Sequence, residues 1–323
     1  NASSSYDSST TQGVSTYADE ITISSGIGAD GFITGNYVIT YDSGDLTISR
    51  RPITLQANDQ SKTYGDTLSL GTNGFTTSSG SYANSEMATA VSLSSLNSYD
   101  SSTTQNAGIY SNEIAIAGAT GSGGFSESNY DITYLSSDFE INQRDIELTA
   151  GNNAKIYGDS LDLGSTNFSL TSGSYANTES ATSVSLVAAN AYDTALTQGV
   201  GSYSDEIVIS NALADANGFS PSNYHITYTS GDLTINPAAL TITADDISKV
   251  YGGADPVRSV NYNGFMNGED SSVIFGLLVS SPTGSSATAG THSVIPSRAP
   301  AANYNISFIP GTLSVGKASL LVS

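Results

Sequence analysis

The sequence predicts an all-β chain. It would be built from small tandem β-sandwich or β-grasp-like domains, each with at most one short helical turn, arranged as an elongated rod. Three observations carry that expectation. A motif returns along the chain as Ser61-Lys62-Thr63-Tyr64-Gly65-Asp66, Ala154-Lys155-Ile156-Tyr157-Gly158-Asp159 and Ser248-Lys249-Val250-Tyr251-Gly252-Gly253, with 93 residues from Tyr64 to Tyr157 and 94 from there to Tyr251. A second marker, Asn36-Tyr37, Asn129-Tyr130, Asn223-Tyr224 and Asn303-Tyr304, keeps the same step until the last copy, which comes after 80 residues. This period is too long for a solenoid turn and suits a whole small domain. Next, apolar residues alternate with a period of two wherever they cluster, which is the strand signature. Finally, charged residues make up only 12% of the 323, so Ser, Thr, Asn and Gly must form the polar surface. Those residue types favour turns and strand ends over helices.

The repeat divides the chain into 1–50 (the C-terminal part of a truncated repeat), 51–143, 144–237, the shorter 238–317, and 318–323 as the first strand of a following repeat. Each full unit opens on an alternating strand: Ile53, Leu55 and Ala57, then Ile146, Leu148 and Ala150, then Leu240, Ile242 and Ala244. The Lys-x-Tyr-Gly element follows, its glycine supplying a backbone angle or a close approach that a side chain would forbid. A short helical turn is expected at Asn84-Ser85-Glu86, Asn177-Thr178-Glu179 and Asn267-Gly268-Glu269, where Asn would cap and the acid would face the helix dipole. Val91 and Leu93, like Val184 and Leu186, read as the next strand. Tyr110 with Ile114-Ala115-Ile116 reads as another, copied at Tyr17 and Tyr203. A hairpin then closes each unit, turning at Asp42-Ser43-Gly44-Asp45 or Ser230-Gly231-Asp232. The joints, Ser49-Arg50-Arg51-Pro52, Asn142-Gln143-Arg144-Asp145 and Asn236-Pro237-Ala238-Ala239, are short and are not flexible Gly/Ser tethers. The third full unit lacks the Tyr-Asp-Ser-Ser loop of the others, which marks that loop as dispensable decoration.

The net charge of −21, from nine basic and thirty acidic residues, repels phosphate and anionic lipid. It argues against nucleic-acid partners and membrane docking and favours solubility. The chain has no cysteine, so disulfides and thiolate sites are excluded. No apolar run reaches membrane-spanning length, so no membrane insertion is expected.

These units resemble the MBG domains, YGX type, of very large secreted bacterial adhesins of the filamentous-haemagglutinin kind. The residues that carry the resemblance are Lys-x-Tyr-Gly near the start, Asn267-Gly268-Glu269 in the middle of the third unit, and Asn-Tyr-x-Ile with Leu-Thr-Ile at the end. The third unit, with Ser248-Lys249-Val250-Tyr251-Gly252-Gly253-Ala254-Asp255-Pro256, follows the family pattern throughout. The first two lack the Ala-Asp-Pro. The resemblance implies an extracellular, non-catalytic bacterial repeat whose partners are neighbouring repeats and a glycan, matrix polymer or cell surface.

No constellation of residues points to an enzyme. His225 and His292 recur in no other copy. No Gly-x-Ser-x-Gly elbow exists. Asp245-Asp246 are adjacent in sequence, unlike two acids set across a glycosidase cleft. No cofactor is expected. Asp30, Asp193, Asp215 and Asp255 leave calcium as the one ion to consider, although no calcium-loop motif is present. Lys62, Lys155 and Lys249 could form isopeptide bonds to Asn129, Asn223 and Asn303 with help from Glu113 or Glu206. The plainer alternative lays each lysine stem on its neighbouring tyrosine with the charge in water. The loops at Tyr99-Asp100 and Tyr192-Asp193 are the candidates for ligand contact. The function expected is the stalk of a surface adhesin, mediating cell-surface or biofilm-matrix adhesion. The alternatives are a carbohydrate-binding array using those tyrosine loops, or a filament subunit assembling by strand exchange.

Overall fold

The computed structural model describes residues 2–28, 30–213 and 217–322. It is mostly β and divides into two compact units.

Unit 1 holds residues 1–144 together with Tyr175–Thr178 and Ser222–His225. Its first two strands, β1 (Ser15–Ile21) and β2 (Gly44–Ile48), pair antiparallel. Seven strands follow: β3 (Arg51–Ala57), β4 (Gln60–Thr63), β5 (Phe75–Gly80), β6 (Met87–Ser95), β7 (Gly108–Ser122), β8 (Tyr130–Leu135) and β9 (Ser137–Asn142). They form a three-stranded sheet, β5-β3-β8, and a four-stranded sheet, β4-β9-β7-β6. The expected alternation is present: Ile53, Leu55 and Ala57 of β3 are buried, as are Phe139 and Ile141 of β9.

Unit 2 holds the rest of the second repeat and the whole third repeat. The second repeat carries β10 (Arg144–Ala150), β11 (Asn153–Ile156), β12 (Phe168–Gly173), β13 (Ser183–Ala188), β14 (Gly201–Leu213), β15 (Tyr224–Thr229) and β16 (Gly231–Asn236). The third carries β17 (Ala238–Ala244), β18 (Ile247–Val250), β19 (Val260–Asn263), β20 (Leu278–Ser280), β21 (Gly290–Ser297), β22 (Tyr304–Ile309) and β23 (Gly311–Gly316). Both repeat the two-sheet order of the first, as β12-β10-β15 with β11-β16-β14-β13, and β19-β17-β22 with β18-β23-β21-β20. In the third repeat Ala244, Ala287, Val294, Leu313 and Val315 form one buried cluster.

The closing hairpin is absent. β8 and β9 lie in different sheets, as do β15 and β16, and β22 and β23. Each pair is one long strand kinked at a single residue, and it runs parallel to the opening strand pair of its repeat, which is broken over two residues. Ile53 sits opposite Ile132 on one side of the kink, and Lys62 opposite Ile141 on the other. A crossing explains the glycine better than a turn does. A Cβ on Gly231 would lie 2.7 Å from the carbonyl oxygen of Ala150, and one on Gly311 would lie 2.6 Å from that of Ala244. In the first repeat Ser137 stands there instead and donates to the Asn58 carbonyl at 2.8 Å. The aspartate that follows has a separate duty. Asp45, Asp138 and Asp232 accept the backbone N–H of Asp19, Asn112 and Asp205 at 3.1, 2.9 and 3.1 Å. Those three residues have left-handed φ of 55°, 56° and 56°, each at a bulge in β1, β7 or β14.

The expected helical turns also move. Asn84, Asn177 and Asn267 take left-handed φ of 51°, 53° and 56° in tight turns and cap no helix. The short 3-10 turns of the full repeats fall elsewhere, at Glu127–Asn129, Pro221–Asn223, Ser271–Val273 and Gly284–Ser286, so the third repeat has two rather than one. The expected strand at 318–323 is not formed over residues 318–322, where Leu320, Leu321 and Val322 are exposed.

Candidate interface between successive repeats

The residues that define the repeat meet those of the neighbouring copy. In unit 2, the Tyr157 ring packs edge-on against Tyr304, with centroids 5.8 Å apart. The Tyr157 hydroxyl donates to Glu269 at 2.6 Å, and Tyr304 donates to the other oxygen of the same carboxylate. Asn303 Oδ1 accepts the Val200 N–H at 3.1 Å, and Asn267 Nδ2 donates to the Leu196 carbonyl at 2.9 Å. Gly158, at φ +90°, leaves room for Met266, whose Cβ would stand 2.7 Å from an added methyl.

Unit 1 contains the same joint twice. In one, the Tyr64 ring meets Tyr224 edge-on at 5.7 Å. Asn223 Oδ1 accepts the Ala107 N–H at 3.0 Å, and Asn177 Nδ2 donates to the Thr103 carbonyl at 3.2 Å. Gly65, at φ +87°, lies under Ala176, and Arg144 clasps the motif through the Tyr64 carbonyl and Asp66. In the other, Asn129 Oδ1 accepts the Val14 N–H at 3.1 Å and Asn84 Nδ2 donates to the Thr10 carbonyl at 2.7 Å. In each full repeat the Asn-Tyr tyrosine is also anchored from its own side: Tyr130, Tyr224 and Tyr304 accept the N–H of Ala83, Ala176 and Met266.

The joint perturbs its tyrosines. Burial, then the hydrogen bond to Glu269, pushes the Tyr304 hydroxyl up to about 12. Tyr157 is raised chiefly by its bond to Glu269, with burial second. Tyr130 is raised by burial and by its bond to Glu86.

The lysines have a structural place that neither sequence alternative anticipated. Lys62 is 7% exposed and Lys155 6%, so their charges are not in water. Lys62 Nζ donates to the carbonyls of Tyr99, Asp100 and Ser102, and Lys155 Nζ to those of Asp193 and Ala195. Backbone oxygens replace the hydration shell. Burial lowers the Lys62 ammonium, opposed by the charges of Asp100 and Asp66. The isopeptide arrangement is not assembled: Asn129, Asn223 and Asn303 are spent on the joints. Glu113 binds Ser95 and Asn97, and Glu206 binds Asn190. The Tyr-Asp loop is therefore a lysine cradle rather than decoration. Where the third repeat drops it, Asp255 of the Ala-Asp-Pro takes the lysine at 2.6 Å.

The remaining candidates scatter. Tyr99 and Tyr192 are half-buried, their rings packed on Tyr110 and Tyr203 at 4.6 and 4.9 Å, while the carbonyls of Asp100 and Asp193 also receive Leu68 and Leu161. Asp245 accepts from Asn261, and Asp246 caps Thr312. His292 bonds the Thr288 carbonyl, and His225 is exposed on β15. Asp30 is exposed, and Asp215 lies outside the described residues. Among the described residues no group of three or more His, Cys, Asp or Glu could hold a metal ion. Among the described residues no helix is long and apolar enough to cross a membrane.

Residues 240–314 match the MBG domain family, YGX type. The match spans the third repeat from β17 into β23, so the Lys249–Asp255 pair, Tyr251-Gly252 and Asn303-Tyr304 all fall inside an MBG-type domain. No curated protein matches the chain. Sequence reasoning missed Glu269 as the bridge between Tyr157 and Tyr304, and Val14, Ala107 and Val200 as donors across the joint. A signal was available, since those donors follow Gln12, Gln105 and Gln198 at the same 93-residue step.

Proposed function

We propose that this chain is part of the extracellular stalk of a bacterial surface adhesin. It would act without catalysis to hold adhesive contacts away from the cell or within a biofilm matrix. The supporting observation is the recurrent joint. The same Asn-to-backbone bonds appear three times, and the same Tyr–Tyr edge contact with its motif glycine twice. Repeats joined by short linkers and repeated side-chain locks resist bending, which is what a spacer needs and an isolated enzyme does not. The MBG match agrees with a repeat region of that kind.

Small-angle scattering tests the reading. A stalk segment has a radius of gyration well above the roughly 20 Å of a single globule of this length. A value near that figure would overturn it.

A further inference from the structure

The third repeat contains an open concavity of about 590 Å³ that the first two do not share in chemistry. Its walls include Phe275, Pro300, Ile306 and Phe308, with Arg298 at the edge and Ala299 at the base. Counting from the Asn-Tyr marker, Ala299 stands where the earlier repeats have Phe125 and Phe219. Phe125 stacks on Tyr130 with centroids 5.1 Å apart, and Phe219 is 1% exposed, so a phenyl ring fills this place in both. The third repeat removes the ring, and its concavity is larger than the one of about 400 Å³ that the first repeat has over Tyr130, Ile132 and Tyr134.

Polar groups disappear at the same place, three relative to the first repeat and two relative to the second. Phe308 replaces Tyr134 and Tyr228, whose hydroxyls accept from Ala119 and Ala212. Ala301 replaces Glu127, the partner of Tyr134, in the first repeat and Pro221 in the second, and Ala302 replaces Ser128 and Ser222. One charge is added. Arg298 occupies the position of Gly124 and Gly218, whose φ are 94° and 90°, and itself adopts φ 52°. An arginine held in the left-handed region is strained, and such strain persists where something else requires the residue. Its side chain is exposed and has no hydrogen-bond or ion-pair partner among the described residues, in a chain with thirty acidic side chains against nine basic.

We propose that this concavity is a binding site for an apolar monoanion: a carboxylate or sulfonate carried on an aliphatic or aromatic body. The size is that of a small-molecule pocket, mostly apolar with one orienting polar group. The guanidinium suits a carboxylate or sulfonate head through paired N–H donors. A sugar fits poorly, because its hydroxyls would meet carbon where both other repeats offer hydroxyls and the first also offers a carboxylate. The site is independent of the stalk reading and can stand or fall without it.

The test uses the full chain and 1-anilinonaphthalene-8-sulfonate, an aromatic body with one anionic group. The chain has no tryptophan to interfere with its fluorescence. Saturable single-site binding is expected. Arg298→Gly, which restores the glycine of the other repeats, should raise Kd at least tenfold. Ala299→Phe should do the same by refilling the space, and Phe308→Tyr, which adds only a hydroxyl, serves if Ala299→Phe folds poorly. The neutral analogue N-phenyl-1-naphthylamine should be insensitive to Arg298→Gly and sensitive to Ala299→Phe. Dodecanoate should displace the probe and dodecanol should not. The proposal is overturned by an absence of saturable binding, or by equal binding to wild type and Arg298→Gly. Loss in Arg298→Gly with retention in both pocket variants overturns it as well, because surface charge alone would then be responsible.

Discussion

Gly158→Ala and Gly252→Ala change the same motif residue in two copies, one inside a joint and one facing open space. Both glycines have left-handed φ, +90° and +78°. An L-residue there costs roughly 1–2 kcal/mol whatever surrounds it. At Gly252 an added methyl meets nothing within 4 Å, so backbone strain is the whole effect. At Gly158 the methyl would lie 2.6, 2.7 and 2.9 Å from Cε, Cβ and Cγ of Met266. The Cε can swing aside, but the Cβ is fixed to the backbone, so Met266 and its turn must retreat. Overpacking of that kind costs about 1–3 kcal/mol more. The excess should appear as opening of the joint, because Met266 adjoins Asn267 and its turn is held by Tyr304. Hydrogen exchange at the Val200 amide, which donates to Asn303, reads that opening directly. Exchange should accelerate about 5- to 150-fold in Gly158→Ala relative to Gly252→Ala. Equal exchange in the two variants would refute the claim that the motif glycine serves the neighbouring repeat.

Other consequences are open to measurement. Tyr304 and Tyr157 have raised folded values, so they contribute stability that is full below the ordinary tyrosine value of 10 and is lost as pH rises through the folded value, about 12 for Tyr304. Absorbance titration should show late-ionising tyrosines, and Glu269→Gln should move part of that late signal toward 10. Lys62→Met leaves the carbonyls of Tyr99, Asp100 and Ser102 without their donor, and urea unfolding should register a loss of about 1–3 kcal/mol. Burial would raise the Glu113 carboxyl, but hydrogen bonds from Ser95 and Asn97 hold it below 4.5. Its contribution is therefore present above that value and fades as pH falls through the lower folded one. Glu113→Gln should flatten the acid limb of the stability curve, and an unchanged limb would count against the assignment.

Much of the fold was legible because burial writes itself locally. A strand with one face inward must alternate, and Ile53-Leu55-Ala57 and its copies do so without reference to any distant residue. Lys62, Tyr64, Gly65, Asn129 and Tyr130 were visible as important for the same reason: each recurs. The partners of those residues were not legible. The Ser-Gly-Asp run looked like a hairpin because alternation continues through a one-residue kink, whether the chain turns back or crosses to a second sheet. The lysine cradle was hidden because its acceptors are backbone carbonyls, which every residue carries and no side-chain pattern marks.

The sequence by itself determined the repeat period, the first strand of each full repeat with its inward face, and the motif positions, since all of these follow from period and polarity along the chain. Only the tertiary structure decided whom the motifs touch. In a tandem array a residue and its copy one period away are chemically alike, so Tyr157 could belong to its own domain's interior or to the next domain's surface with the same spacing. Contact with Tyr304 and Glu269 chooses the second, because the tight left-handed turn at Gly158 carries no side chain and leaves the neighbour's Met266 room to approach.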